Sequence, residues 1–393
     1  MRLLFYNHAS EIGGAEHGLL AIMESARAAG HDIVLCAPPG PLTRAARRLD
    51  IHIVPVAPLT LTYTTNPVVL AGSLARAVAP AADVQRAVRD FAPAVVHANS
   101  IRSGLIAALA VRGRVARPRP GLVVHVRDAL HTTLLDRLTA AFIGREADTI
   151  VAISRYTTHN SRWAPDKLAV IHNAIEPGTY RAAPAAGRAL RRAHAIPLDA
   201  PLVAVIAQLT PWKGHADALE AVALLRQTRP DAHLAIVGAA TFTGKHRRYD
   251  TAAYRAALHA RAAAPDLAGH VHFTGDVAAV AAVYAAADLL LVPSWAEPFG
   301  RVVIEAMAAG VPVLATRAGG VPEIITHEAD GWLTPPRDPA AMAAALRRLL
   351  DDPALRAALA ARARATVDRR FALNEYSDAL TGLWARLSEQ SRT

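Results

Sequence analysis

The sequence predicts an α/β protein made of two doubly wound domains, each a parallel sheet covered by helices on both faces. Short runs rich in Val, Ile and Leu alternate with alanine-rich helical windows along all 393 residues. These runs are continuously apolar, without an apolar–polar alternation, as expected of strands buried on both faces. A stretch at 176–201 with several prolines breaks the rhythm near the middle.

In chain order, the first half offers strands at 3–7, 33–38, 51–56, 94–99, 122–127 and 149–154. A Gly-Gly turn at 13–14 follows the first, a hydroxyl-dense loop at 58–67 follows the third, and an arginine-rich loop at 112–120 precedes the fifth. The second half offers strands at 201–207, 233–238, 271–275, 289–294 and 312–316, with a shorter one at 331–335. Domains are therefore expected at 1–180 and 201–367, with a linker at 181–200 and a closing segment at 368–393. Ligands of such sheets bind outside the carboxyl ends of the strands, which here means the cleft between the halves.

With 52% hydrophobic and 19% charged residues, the chain reads as a soluble globular protein able to bury large cores. One cysteine, Cys36, excludes an internal disulfide framework and fits a reducing compartment. No uninterrupted apolar run approaches the ~18 residues of a spanning helix. The first residues read as a strand without the pattern of a signal peptide, so a cytoplasmic protein is expected. The net charge of +10 is almost all arginine, the lysines being Lys167, Lys213 and Lys245. Residues 1–190 hold 21 Lys and Arg against 13 Asp and Glu, so the excess sits in the first half. It is either a solvated surface or a weak peripheral contact with an anionic partner such as membrane. Nucleic acid is not expected, because the basic stretches carry no interleaved aromatics or recognition motif. A dinucleotide dehydrogenase is excluded by the absence of a G-x-G-x-x-G turn after either leading strand.

The most informative stretch is 297-EPFGRVVIE-305. A helix starting near Gly300 would aim free N–H groups and a positive dipole end at the cleft, which makes an anion site. Gly300 lets a phosphate approach the backbone. Glu297 before the turn and Glu305 beyond it can each accept hydrogen bonds from neutral hydroxyls. Ribose diol, diphosphate and hexose hydroxyls are the parts of a nucleotide sugar in that order. The plain alternative is that both glutamates cap or decorate a helix.

That stretch resembles the E-x7-E signature of retaining glycosyltransferases of family 4, and the likeness spans nearly the whole chain. It includes 13-GGAE-16, 172-HNAIE-176, 207-AQLTPWKG-214, 275-GD-276, 292-VPSWAEPFG-300, 305-EAMAAGVPV-313, 319-GGVPEI-324 and 331-GW-332. The resemblance implies the GT-B fold: an N-terminal acceptor-binding domain, a C-terminal nucleotide-sugar-binding domain, and a last helix returning to the N-terminal domain. It implies a hexosyltransferase, of bacterial carbohydrate or natural-product biosynthesis, that moves a sugar from a nucleoside diphosphate donor to a hydroxyl acceptor with retention. A UDP-sugar is the expected donor. No cofactor and no metal are expected, and the chain has no Asp-x-Asp pair of the kind that holds a divalent ion. The alternatives are a nucleotide-sugar 2-epimerase, which shares the architecture, and a non-catalytic sugar-nucleotide-binding protein.

Carried onto this chain, the resemblance implies that Glu297 holds the hexose and Glu305 the ribose. Phe299 and Gly300 present amides to the phosphate, Lys213 neutralises the departing diphosphate, and Gly13 and Gly14 lie near phosphate or sugar. Two positions depart from the family. Gln208 stands where a second cationic clamp is usual: either another cation, Arg301 or Arg317, compensates, or the donor is held less strongly. Arg127, before Asp128, stands where histidine is usual. It either bonds the transferred sugar, contacts an anionic acceptor, or pairs with Asp128 on the surface. His125 is expected as a core histidine facing the other side of the sheet. Glu16, Tyr63, His97 and Asn99 are the candidate acceptor residues, Glu16 having the alternative of a helix-terminal charge.

Overall fold

A computed structural model describes the chain except residues 60–66, 113–118, 131–132, 160–162, 239–249, 278 and 391–393. The chain forms two compact units, Met1–Ala174 with Leu373–Thr393, and Ile175–Ala372. Tyr63 lies outside the described residues.

The first unit carries β1 (Arg2–Tyr6), β2 (Asp32–Ala37), β3 (His52–Pro55), β4 (Val95–Ala98), β5 (Gly121–Val126), β6 (Thr149–Ala152) and β7 (Leu168–Val170). They form one sheet in the order β3-β2-β1-β4-β5-β6-β7, with every pair parallel. The second carries β8 (Leu202–Ile206), β9 (His233–Val237), β10 (Val271–Gly275), β11 (Leu289–Val292), β12 (Val313–Thr316) and β13 (Trp332–Thr334). Their order is β10-β9-β8-β11-β12-β13, again all parallel. In each unit the order reverses beside the leading strand, between β1 and β4 and between β8 and β11. Loops leaving a sheet at such a reversal diverge and open a crevice for ligand. The one strand not expected, β7, is a three-residue edge strand, too short to stand out as an apolar run.

The expected linker is not a linker. The chain passes between units at 174–175, and Pro184–Ala193 is a helix of the second unit. The prolines that read as breaks start helical turns at Pro177 and Pro184, where a missing N–H costs nothing. The buried Arg191 holds this helix down. Its Nε donates to the Ala286 carbonyl at 2.9 Å, Nη1 to the Ala200 carbonyl at 2.7 Å, and Nη2 to Asp288 at 3.0 Å. The return crossing falls at 372–373, later than expected, because the helix Pro353–Arg370 and Phe371 pack in the second unit.

The closing helix Leu373–Gln390 belongs to the first unit. Tyr376, Leu380, Leu383, Trp384 and Leu387 fall on one helical stripe and join the core on the β1 side of Phe5, Val95 and Val123. Trp384 packs edge-on against Phe5, ring centres 5.7 Å apart. A fully buried indole of 150–250 Å² contributes about 4–6 kcal/mol at ~25 cal/mol/Å². Among the described residues no helix is long and apolar enough to cross a membrane.

Candidate functional site

In the second unit, the residues marked by the sequence meet where the strand order reverses. The loop after β8 makes a helical turn at Pro211–Lys213, and Gly214 then starts the helix His215–Arg226. Gly214 has φ +74°, and a Cβ there would run into the Pro293 carbonyl of the loop after β11. That close crossing brings Lys213 to Glu297. The Lys213 ammonium donates to Glu297 Oε2 at 2.6 Å, and the Ser294 hydroxyl donates to the same oxygen at 3.2 Å. The ammonium also lies 4.2 Å from the centre of the Trp212 ring. The lysine and glutamate side chains are only 17% and 10% exposed, so water screens the pair weakly.

Gly300 caps the helix Arg301–Ala309 with φ +105°, a value that favours glycine, and no side chain caps that end. The first-turn N–H groups and the dipole end therefore stand beside the Lys213–Glu297 pair. Phe299 is buried edge-on to Phe371, ring centres 5.9 Å apart, so the Phe299–Gly300 turn meets the site through its main chain. Gln208 is half-buried on the Lys213 loop.

Glu305 is held in a clamp that sequence reasoning missed. Its Oε1 accepts from Arg301 Nε at 2.7 Å and from the Tyr180 hydroxyl at 3.2 Å, and its Oε2 accepts from the Tyr284 hydroxyl at 3.0 Å. Arg301 Nη2 also donates to the Tyr180 oxygen at 3.0 Å. Burial first, and then the Glu305 charge, raise both phenols above their ordinary value, so both remain neutral donors at neutral pH. Arg301, one of the two cations named as compensating for Gln208, has its guanidinium engaged with Glu305 and Tyr180. Arg317 is exposed.

In the first unit a buried polar chain closes the carboxyl ends of β1, β4 and β5. The Arg127 guanidinium, 5% exposed, donates from Nε to Asn99 Oδ1 at 2.8 Å and from Nη1 to Asn173 Oδ1 at 3.1 Å. Asn99 donates to Asn7 Oδ1 at 2.9 Å, and Asn7 donates to Glu16 Oε1 at 3.3 Å. Arg127 is therefore buried, whereas Asp128 beside it is exposed. Asn99 is fully buried and helps hold Arg127. Glu16 caps its helix by accepting from the Gly13 N–H at 3.0 Å, and Gly14 is exposed at the helix start.

His97 does not reach a rim. It is fully buried, since its side chain points into the core under the closing helix. Trp384 Nε1 donates to His97 Nδ1 at 3.2 Å, and His97 Nε2 contacts His125 Nδ1 at 3.2 Å. Indole nitrogen is a donor only, so His97 carries its proton on Nε2 and passes the bond on to His125. His125 shares the face of Arg127, correcting the expectation of opposite faces, because residues two apart on a strand point the same way. Burial first, then the Arg127 charge, hold His97 down at about 3 and His125 well below its usual value. Nearby His8, between the Ser100 and Ser103 hydroxyls, is lowered to about 4 by burial and then by Arg102.

Asn7, Asn173, Ser294, Tyr180 and Tyr284 were not singled out from the sequence. Asn7 and Ser294 carried a local signal, each being the polar residue that ends an apolar run. The tyrosines carried none.

The profile of glycosyl transferases group 1 matches residues 188–366, and that of glycosyltransferase family 4 matches residues 12–179. The chain is 32% identical over 323 residues to a D-inositol 3-phosphate glycosyltransferase of Acidothermus cellulolyticus, covering 76% of this chain and 68% of that one. It is 37% identical over 198 residues to the protein of that name from Streptomyces avermitilis, covering 49% of this chain but 41% of the other. The chain thus spans less than half the length of several curated relatives it matches. Among solved structures, Anabaena HepE in complex with UDP and glucose superposes with a TM-score of 0.83 at 24% identity, covering 98% of this chain and 99% of that one. A sucrose-phosphate synthase of Thermosynechococcus elongatus superposes with a TM-score of 0.77 at 21% identity, covering 98% of each chain.

Proposed function

As the chain belongs to glycosyltransferase family 4 and has the GT-B fold, we propose that it is a retaining, metal-independent glycosyltransferase using a UDP-sugar and a hydroxyl acceptor. The observation that carries this is the Lys213–Glu297 pair beside the helix N-terminus at Gly300, where the sheet order reverses. A cation and a dipole end suit a diphosphate, and a carboxylate next to them suits sugar hydroxyls. The related HepE was crystallised with UDP-glucose, which supports UDP as the nucleotide. The acceptor oxygen attacks the anomeric carbon on the face the diphosphate leaves. The bond from that carbon to the phosphate oxygen breaks, its electron pair stays on the phosphate, and a phosphate oxygen takes the acceptor's proton. The protein supplies orientation and charge: Glu297 for the hexose, Glu305 for the ribose, Lys213 for the diphosphate, with Gln208 in reach of the phosphates. Arg127 and Asp128 serve the transferred sugar or the acceptor. The reaction needs no resident cofactor. The setting is the cytoplasm, with a weak peripheral contact with anionic membrane through the basic first half.

The test incubates the protein with UDP-, GDP- and ADP-sugars, alone and with an acceptor panel, and follows products by NMR. A glycoside with the donor's anomeric configuration, formed from a UDP-sugar in excess EDTA, is expected. An epimer from donor alone would make it a 2-epimerase. Sugar-nucleotide binding without turnover on any acceptor would make it a binding protein. Activity abolished by EDTA and restored by Mn²⁺ or Mg²⁺ would overturn metal independence.

A further inference from the structure

We infer that the Lys213–Glu297 ion pair makes the site prefer a nucleotide sugar over the bare nucleoside diphosphate, with Glu297 as the specificity-determining residue. This rests on the reading that Lys213 meets the donor's diphosphate. Glu297 already occupies the place of an anion at Lys213, at 2.6 Å, in a setting where both side chains are more than four-fifths buried. A diphosphate must share the ammonium with this carboxylate, and like charges a few ångströms apart repel strongly where water is scarce. Among the described residues, the two side-chain bonds to Glu297, from Lys213 and Ser294, land on Oε2. Oε1 is left as the acceptor that a hexose hydroxyl meets. A nucleotide sugar therefore brings donors that offset the repulsion, and a bare nucleotide does not. Once the sugar is transferred, Glu297 repels the remaining diphosphate and reclaims Lys213, which favours release of the product.

Titration calorimetry with UDP and with UDP-glucose on the wild type, Glu297→Gln, Glu297→Ala and Lys213→Ala decides the matter. Removing the carboxylate charge should tighten UDP binding about 3–10-fold, a gain that shrinks in 1 M salt as screening takes over. UDP-glucose affinity should stay level or fall in the same variants, so the preference shifts toward the bare nucleotide. Lys213→Ala should weaken UDP. If Lys213→Ala weakens UDP while neither Glu297 variant tightens it, the inference is wrong and the diphosphate reading stands. Unchanged UDP affinity in Lys213→Ala would instead sink the diphosphate reading itself.

Discussion

Glu305 shows how far a single residue can be read from sequence. Its spacing from Arg301 is one helical turn, so the ion pair between them was legible locally. Its two phenolic partners were not, since Tyr180 lies 125 residues away and Tyr284 on a separate helix. The clamp changes what a substitution would do. Glu305→Ala leaves a largely covered guanidinium, 18% exposed, and two buried hydroxyls without their acceptor, and breaking a buried charge pair from one side costs about 3–5 kcal/mol. Urea denaturation should show a loss of that size, alongside any rise in donor KM. A variant as stable as the wild type would show that the clamp holds nothing in place.

At the scale of elements, the closing helix couples the core of the first unit to pH. Its Trp384 requires a neutral His97, and His97 in turn bonds a neutral His125. In the unfolded chain a histidine titrates near 6.5, whereas folded His97 titrates near 3. Between these values the unfolded chain binds more protons, so stability rises with pH through that window. It is complete above ~6.5 and lost progressively below, by about 1.4 kcal/mol per pH unit for one such group. Urea midpoints should therefore fall between pH 7 and pH 5. His97→Gln, which can still accept from Trp384 and donate onward, should flatten the slope by about one proton. An unchanged slope would show that His97 is protonated equally in both states. The returning helix was implied by the family resemblance; the histidine beneath it was not, because a strand residue's face depends on what packs there.

For the whole molecule, charge is the property that composition states most directly. The excess in residues 1–190 leads to the expectation that liposomes containing acidic lipid retain the protein at low salt. Release should follow as the Debye length falls from about 10 Å at 0.1 M to about 3 Å at 1 M. Co-sedimentation across that range checks it, and no retention at low salt would return the arginines to a solvated surface.

The strand sequence apart from the short edge strand β7, and the doubly wound class, were determined by the sequence alone, because apolar runs and turn residues are local patterns. So was the position of the Lys213 and Glu297 loops at strand ends. The unit boundary was decided by tertiary structure, since whether 184–193 links or packs depends on carbonyls that Arg191 finds up to 95 residues away. The same holds for the partners of Arg127, Glu305 and His97. A side chain's chemistry is written in its type, but its bonding partner is set by which backbones the sheets and glycine crossings bring within 3 Å.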